Sequence, residues 1–107
     1  SYIAAKEYFA KSLKEPRDPF YVSRATYWNA ESDYITNNLK EAIVGYKQYL
    51  GYDNANETPE YDNIHYNLGY AYFSDKQYDQ AATYFEKFAS NTTTDKARLN
   101  DSSPFRW

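Results

Sequence analysis

The stretch Tyr66-Asn67-Leu68-Gly69-Tyr70-Ala71-Tyr72-Phe73, followed closely by Tyr78-Asp79-Gln80-Ala81-Ala82-Thr83-Tyr84-Phe85, decides the fold. The second half of it occurs three times. Segments 2–13, 39–50 and 78–89 align without gaps as large apolar, two variable, Ala, three variable, aromatic. The small residue falls at Ala5, Ala42 and Ala81, which are 37 and 39 residues apart, and the ring falls at Phe9, Tyr46 and Phe85. Spacings of three and four put these residues on one face of a helix. A small residue in mid-face lets a second helix approach, and the ring one turn on fills the space beside it. The first half occurs twice. Gly69 stands twelve residues before Ala81, and Ala30, within Tyr27-Trp28-Asn29-Ala30-Glu31-Ser32-Asp33-Tyr34, stands twelve before Ala42. The unit is helix, short turn, helix. Its turns are Thr36-Asn37-Asn38 and Ser74-Asp75-Lys76-Gln77, where Asn and Asp tolerate the left-handed backbone that ends a helix.

Outward from these units lie start signals. Asp18-Pro19 and Thr58-Pro59 each offer a capping oxygen followed by Pro at the first helical position, and Glu60 suits the first turn. Thr94-Asp95 reads as a third start. Helices are expected at about 2–14, 19–35, 39–51, 59–74 and 77–90, with a stub from about 95 and a linker at Asn91-Thr92-Thr93-Thr94. No segment alternates as a strand does. The expected fold class is all-α: antiparallel helix-turn-helix repeats stacked as a right-handed superhelical strip. One domain fragment comprises 1–14 as the second helix of a truncated repeat, 19–51 as repeat one, 59–90 as repeat two and 94–107 as the start of another truncated repeat. The chain begins at Ser1 rather than Met and reads as an excised piece.

Composition narrows the function. The 107 residues carry twelve Lys and Arg against fifteen Asp and Glu, a net charge of −3, which provides no basic stripe for phosphates and argues against a nucleic-acid partner. Cys is absent, which removes disulfides and thiolate chemistry. No apolar run approaches the roughly 20 residues that cross a bilayer, so direct membrane insertion is not expected. Fourteen Tyr, six Phe and two Trp make 21% of the chain aromatic, enough either to fill a core or to pave a binding groove.

These residues resemble the tetratricopeptide repeat (TPR). Leu68-Gly69, Tyr72, Ala81 and Phe85 match its pattern closely. Repeat one carries Ala30, Ala42 and Tyr46 in the same register but has Asn29 and Asp33 where apolar residues are expected. Tyr27-Trp28-x-Ala30-Glu31-Ser32-x-Tyr34 is also similar to a pattern of bacterial cell-envelope TPR proteins, including the periplasmic Tol-Pal-associated coordinator type. That resemblance implies a scaffold in the periplasm or cell envelope whose first helices line a concave groove. Carried over residue by residue, the groove positions are Arg24, Tyr27, Glu31 and Tyr34 in repeat one, and Asn63, Tyr66, Asn67, Tyr70 and Phe73 in repeat two.

This set suits an extended peptide, with rings for side chains and Asn or Arg for backbone carbonyls. The same rings could instead pack between repeats. The expected function is thus a non-catalytic protein-interaction scaffold for a peptide or partner protein. A structural or self-assembly segment and a glycan-contacting module are the alternatives. Asn67 sits where some TPR domains hold a C-terminal carboxylate, but Tyr27 and Glu31 do not complete that clamp. His65 is the only histidine and has no catalytic or ligand companions in the sequence, so it reads as structural. Asp53, Glu57, Glu60 and Asp62 read as solvated charge and capping, and no metal or cofactor is expected. At the C-terminal end, Ser102-Ser103-Pro104 breaks the helix pattern, leaving Phe105 and Trp107 as large rings on a tail. The truncated ends are expected to favour association with another copy.

Overall fold

A computed structural model describes residues 18–94. The expectations for 1–14 and for the segment from 95 lie outside the described residues. The protein is all-α, with four α-helices and no strand among the described residues: α1 Tyr21–Ile35, α2 Leu39–Leu50, α3 Ile64–Ser74 and α4 Tyr78–Thr94. Two short 3-10 helices, Ala55–Glu57 and Pro59–Asn63, lie between α2 and α3.

Each adjacent pair is antiparallel. In the first, Tyr27 meets Tyr49, and Gly45 faces Ala30; in the second, Tyr66 meets Phe88, and Phe73 meets Tyr78. The two hairpin turns close identically at a spacing of 39 residues. Asn38 N–H donates to Asp33 O and Asn37 N–H to Tyr34 O; Gln77 N–H donates to Tyr72 O and Lys76 N–H to Phe73 O. Asn37 and Lys76 take the left-handed backbone, at φ 68° and 63°. This is the Schellman closure, which satisfies the last carbonyls of each helix. Asn was the expected left-handed residue; in the second turn Lys76, not Asp75, carries it.

The core runs through both hairpins and joins Tyr27, Ala30, Ala42, Tyr46 and Tyr49 to Ile64, Leu68, Ala71, Tyr72 and Ala81. Ala42 and Ala81 are buried as the repeated pattern requires.

Three local expectations are corrected. Asp18 Oδ1 accepts from Phe20 N–H at 2.9 Å, so α1 begins at Tyr21 and Pro19 lies in the preceding turn. Thr58 does precede Pro59, but its hydroxyl turns inward to Ala55 O and to the Tyr49 hydroxyl instead of capping, and the α-helix starts at Ile64, five residues after Pro59. Asn91 to Thr94 continue α4 and do not form a linker.

Candidate functional site

The two hairpins carry the same trio of rings. Tyr27, Tyr46 and Tyr49 lie with centroids 5.7 Å (Tyr27–Tyr46) and 5.4 Å (Tyr27–Tyr49) apart. Their counterparts 39 positions on, Tyr66, Phe85 and Phe88, lie 6.2 Å (Tyr66–Phe85) and 5.1 Å (Tyr66–Phe88) apart. The surroundings differ. All three rings of the first trio are buried. Their hydroxyls are engaged: Asn67 Nδ2 donates to Tyr27 at 2.5 Å, Tyr46 donates to Glu31 Oε1 at 2.7 Å, and Tyr49 donates to Ala55 O at 3.0 Å. Burial pushes the Tyr49 phenol up to about 12, as expected of a ring whose charged form would be cut off from water.

This arrangement corrects part of the groove expectation. Tyr27 and Glu31 of repeat one and Asn67 of repeat two do not face an open groove; they are buried, Tyr27 bonded to Asn67 of α3 and Glu31 to Tyr46 of α2. Arg24 is not free either. Its Nε and Nη2 grip the Glu60 carboxylate at 2.8–3.2 Å, and Trp28 Nε1 donates to the same group at 3.1 Å. Glu60 is 8% exposed, so it is a buried clasp between α1 and the α2–α3 connection, not the solvated charge its linker setting suggested. The hydrogen bonds that Arg24 donates to Glu60 raise its pKa above the ordinary value. Sequence reasoning missed Glu60 and Trp28. The available signal was Arg24 and Trp28 at i and i+4, one polar-tipped face of one helix.

Repeat two is different. Tyr66 is half-buried, while Tyr70, Phe73 and Tyr78 are 41%, 50% and 56% exposed. With Phe85 and Phe88 they form one continuous strip of rings. Centroid spacings are 4.9 Å for Tyr66–Tyr70, 6.4 Å for Tyr70–Phe73, 5.3 Å for Phe73–Tyr78 and 5.0 Å for Tyr70–Phe85. The strip contains no charged side chain, and Asn63 stands half-buried at the start of α3. Tyr34, also half-buried, lies close enough to act electrostatically on Tyr66, whose pKa is raised by burial and by Tyr70. The rings of the strip are inclined to one another at 60–71°, edge to face for Tyr66–Tyr70 and Phe73–Tyr78 and tilted for Tyr70–Phe73. They therefore offer notches between rings rather than a flat platform.

The other side of α3 holds His65, half-buried between Tyr61, edge-on at 5.7 Å, and Tyr84, stacked at 6.3 Å. Asn91 lies 3.3 Å from its Nδ1. Burial, and then Lys87, lower its pKa. Among the described residues no group of three His, Asp or Glu side chains could hold a metal ion, and no helix is long and apolar enough to cross a membrane. Compared with protein-family models, curated proteins and solved structures, the chain finds no match.

Proposed function

We propose that this chain is a non-catalytic interaction scaffold of the TPR type, and that it binds an extended segment of a partner protein along the ring strip of α3 and α4. The observation that carries the reading is the exposure of Tyr70, Phe73 and Tyr78 in an unbroken, uncharged row. Large rings half in water gain most from a partner's apolar side chains, and the tyrosine hydroxyl can meet backbone carbonyls. The partner is protein, neither nucleic acid nor lipid. The resemblance to cell-envelope TPR proteins supports a periplasmic or envelope setting.

A second reading, a repeat segment that mainly stacks, is favoured by one observation: the counterpart residues of α1, Tyr27 and Glu31, are buried, Tyr27 being hydrogen-bonded to Asn67 of α3. A glycan module would need coplanar exposed rings, and interplanar angles of 60° and 71° among Tyr70, Phe73 and Tyr78 do not supply them.

Selection of a random twelve-residue peptide library on the full chain tests the proposal. Selected peptides should lose at least tenfold in affinity with Tyr70→Ser or Phe73→Ser and be unaffected by Val44→Ser, an exposed site on α2. Failure to enrich any peptide, or indifference to the strip variants, would leave the stacking reading.

A further inference from the structure

The rings of the strip that meet water are Tyr70, Phe73 and Tyr78, at 41%, 50% and 56% exposure, with Phe73 between the two tyrosines. Tyr66 is hydrogen-bonded to Tyr70 and packs on Phe85 and Phe88, so it belongs to the half-buried trio and not to this row. The row carries no charge, and a charged side chain laid on it would lose water and meet no counterion. Ring faces are weakly negative and favour C–H groups with partial positive charge. The only hydrogen-bonding groups on its side chains are the phenol hydroxyls of Tyr70 and Tyr78, which suit carbonyl oxygens. The planes are inclined at 60° between Tyr70 and Phe73 and at 71° between Phe73 and Tyr78, which leaves a notch on each side of Phe73.

We infer that the segment this row takes is proline-rich and lies along it as a polyproline II helix, an inference that rests on the peptide-binding reading and names the chemistry of the peptide. The match is one of charge as well as shape. The proline carbon beside the amide nitrogen is electron-poor, and its C–H groups suit the negative face of Tyr or Phe. Proline has no N–H, so it brings no donor that a ring surface would leave unpaired. Its carbonyls are not bonded within the polyproline II helix and stay available to the hydroxyls of Tyr70 and Tyr78. That helix advances roughly 9 Å per turn, and the row, with steps of 6.4 and 5.3 Å, is about one turn long. Because the segment is extended before it binds, it loses little conformational freedom on the surface.

Other backbones match less well. A helical segment has its carbonyls bonded to its own amides, so the phenols find no acceptor. A β-strand brings N–H groups in need of a sheet edge, and there is no strand among the described residues. The first hairpin does not offer the same surface, since Tyr27 and Tyr46 are buried and their hydroxyls are engaged by Asn67 and Glu31.

Two experiments on the full chain test the inference. In a titration followed by NMR amide shifts, capped decaproline should bind and move amides of α3 and α4 around Tyr70, Phe73 and Tyr78. A capped decamer of alternating glycine and serine should not. Phe73→Ser should weaken decaproline about tenfold, and Tyr78→Phe, which keeps the ring and loses the hydroxyl, about threefold. Val44→Ser should leave it unchanged. Unshifted amides of α1 and α2 report that each variant folds. The second experiment reads the peptides selected from the twelve-residue library, which should carry runs of proline. Decaproline that fails to bind at millimolar concentration, or that binds the Phe73→Ser chain equally well, would overturn the inference. So would selected peptides that need Phe73 yet contain no proline, and that result would leave the peptide-binding reading standing. Failure to select any peptide would remove both.

Discussion

Tyr46 and Phe85 hold the same place in their hairpins, one against Glu31 and the other against Tyr70, the counterpart of Glu31. In the first hairpin the contact is a buried hydrogen bond from a phenol to a carboxylate. In the second it is two rings edge to face, half in water. The same substitution of character runs through the trio: three hydroxylated rings with fixed partners in the first hairpin, one Tyr and two Phe in the second. Buried hydroxyls need partners, and each partner fixes an orientation. The first hairpin is thereby specified as a joint. The rings of the second trio are half-buried, and Phe85 and Phe88 have no hydroxyl whose partner would fix an orientation.

The largest expected difference between the regions comes from removing matched rings. Tyr27→Ala should cost about 3–5 kcal/mol in urea unfolding, as for large aromatic deletions in a core. Phe73→Ala, at an exposed ring, should cost less than about 1 kcal/mol. Comparable costs would erase the distinction.

Next comes the clasp. Arg24→Ala leaves the Glu60 carboxylate buried with only the Trp28 indole, and should cost about 3 kcal/mol. Glu60→Gln should cost less, because Arg24 is 37% exposed and can rehydrate.

The glycines sharpen the comparison in a smaller way. A Cβ at Gly45 would sit 2.7 Å from Ala30 Cβ and 3.3 Å from its Cα, atoms fixed to the backbone. A Cβ at Gly69 would sit 2.5 Å from ring atoms of Phe85, which is only half-buried and can swing. Gly45→Ala should cost about 1–3 kcal/mol by overpacking, and Gly69→Ala should cost less despite the shorter distance. Midpoints of thermal unfolding decide the order.

The smallest effect is a pH dependence confined to the second hairpin. His65 faces Tyr61, Tyr84, Lys87 and Asn91, and its pKa is lowered in the folded chain. The unfolded chain therefore takes up the proton first, near pH 6.5. Stability should be level above that value and decline as pH falls below about 6.5. His65→Gln should remove the decline, as followed by the thermal midpoint.

The helical hairpins were legible because their signal is local: Ala30, Ala42, Gly69 and Ala81 in one register specify helix packing without knowledge of the rest. The Asn37 turn was legible for the same reason. The ring roles were not. Tyr27 and Tyr66 read alike along the chain, and only the position of α3 makes one a buried joint and the other half-open. Glu60 was misread because a carboxylate just after Pro serves equally as a capping charge. Its partners lie 36 and 32 residues away, and linker length alone does not reveal that the connection folds back. Thr58 was misread similarly, since its hydroxyl had a buried competitor in Tyr49.

The central claim is that the ring trio of the first hairpin is a buried, hydrogen-bonded joint and that of the second is only half-buried. Native-state hydrogen exchange, amide by amide, tests it most directly, because local opening reports how firmly each element is held. Amides of α2 around Tyr46 and Tyr49 should exchange only through global unfolding. Those of α4 between Ala82 and Phe88 should exchange through a smaller opening of lower free energy that leaves α1 and α2 protected. Equal protection of α4 and α2, with a single shared opening, would contradict the account.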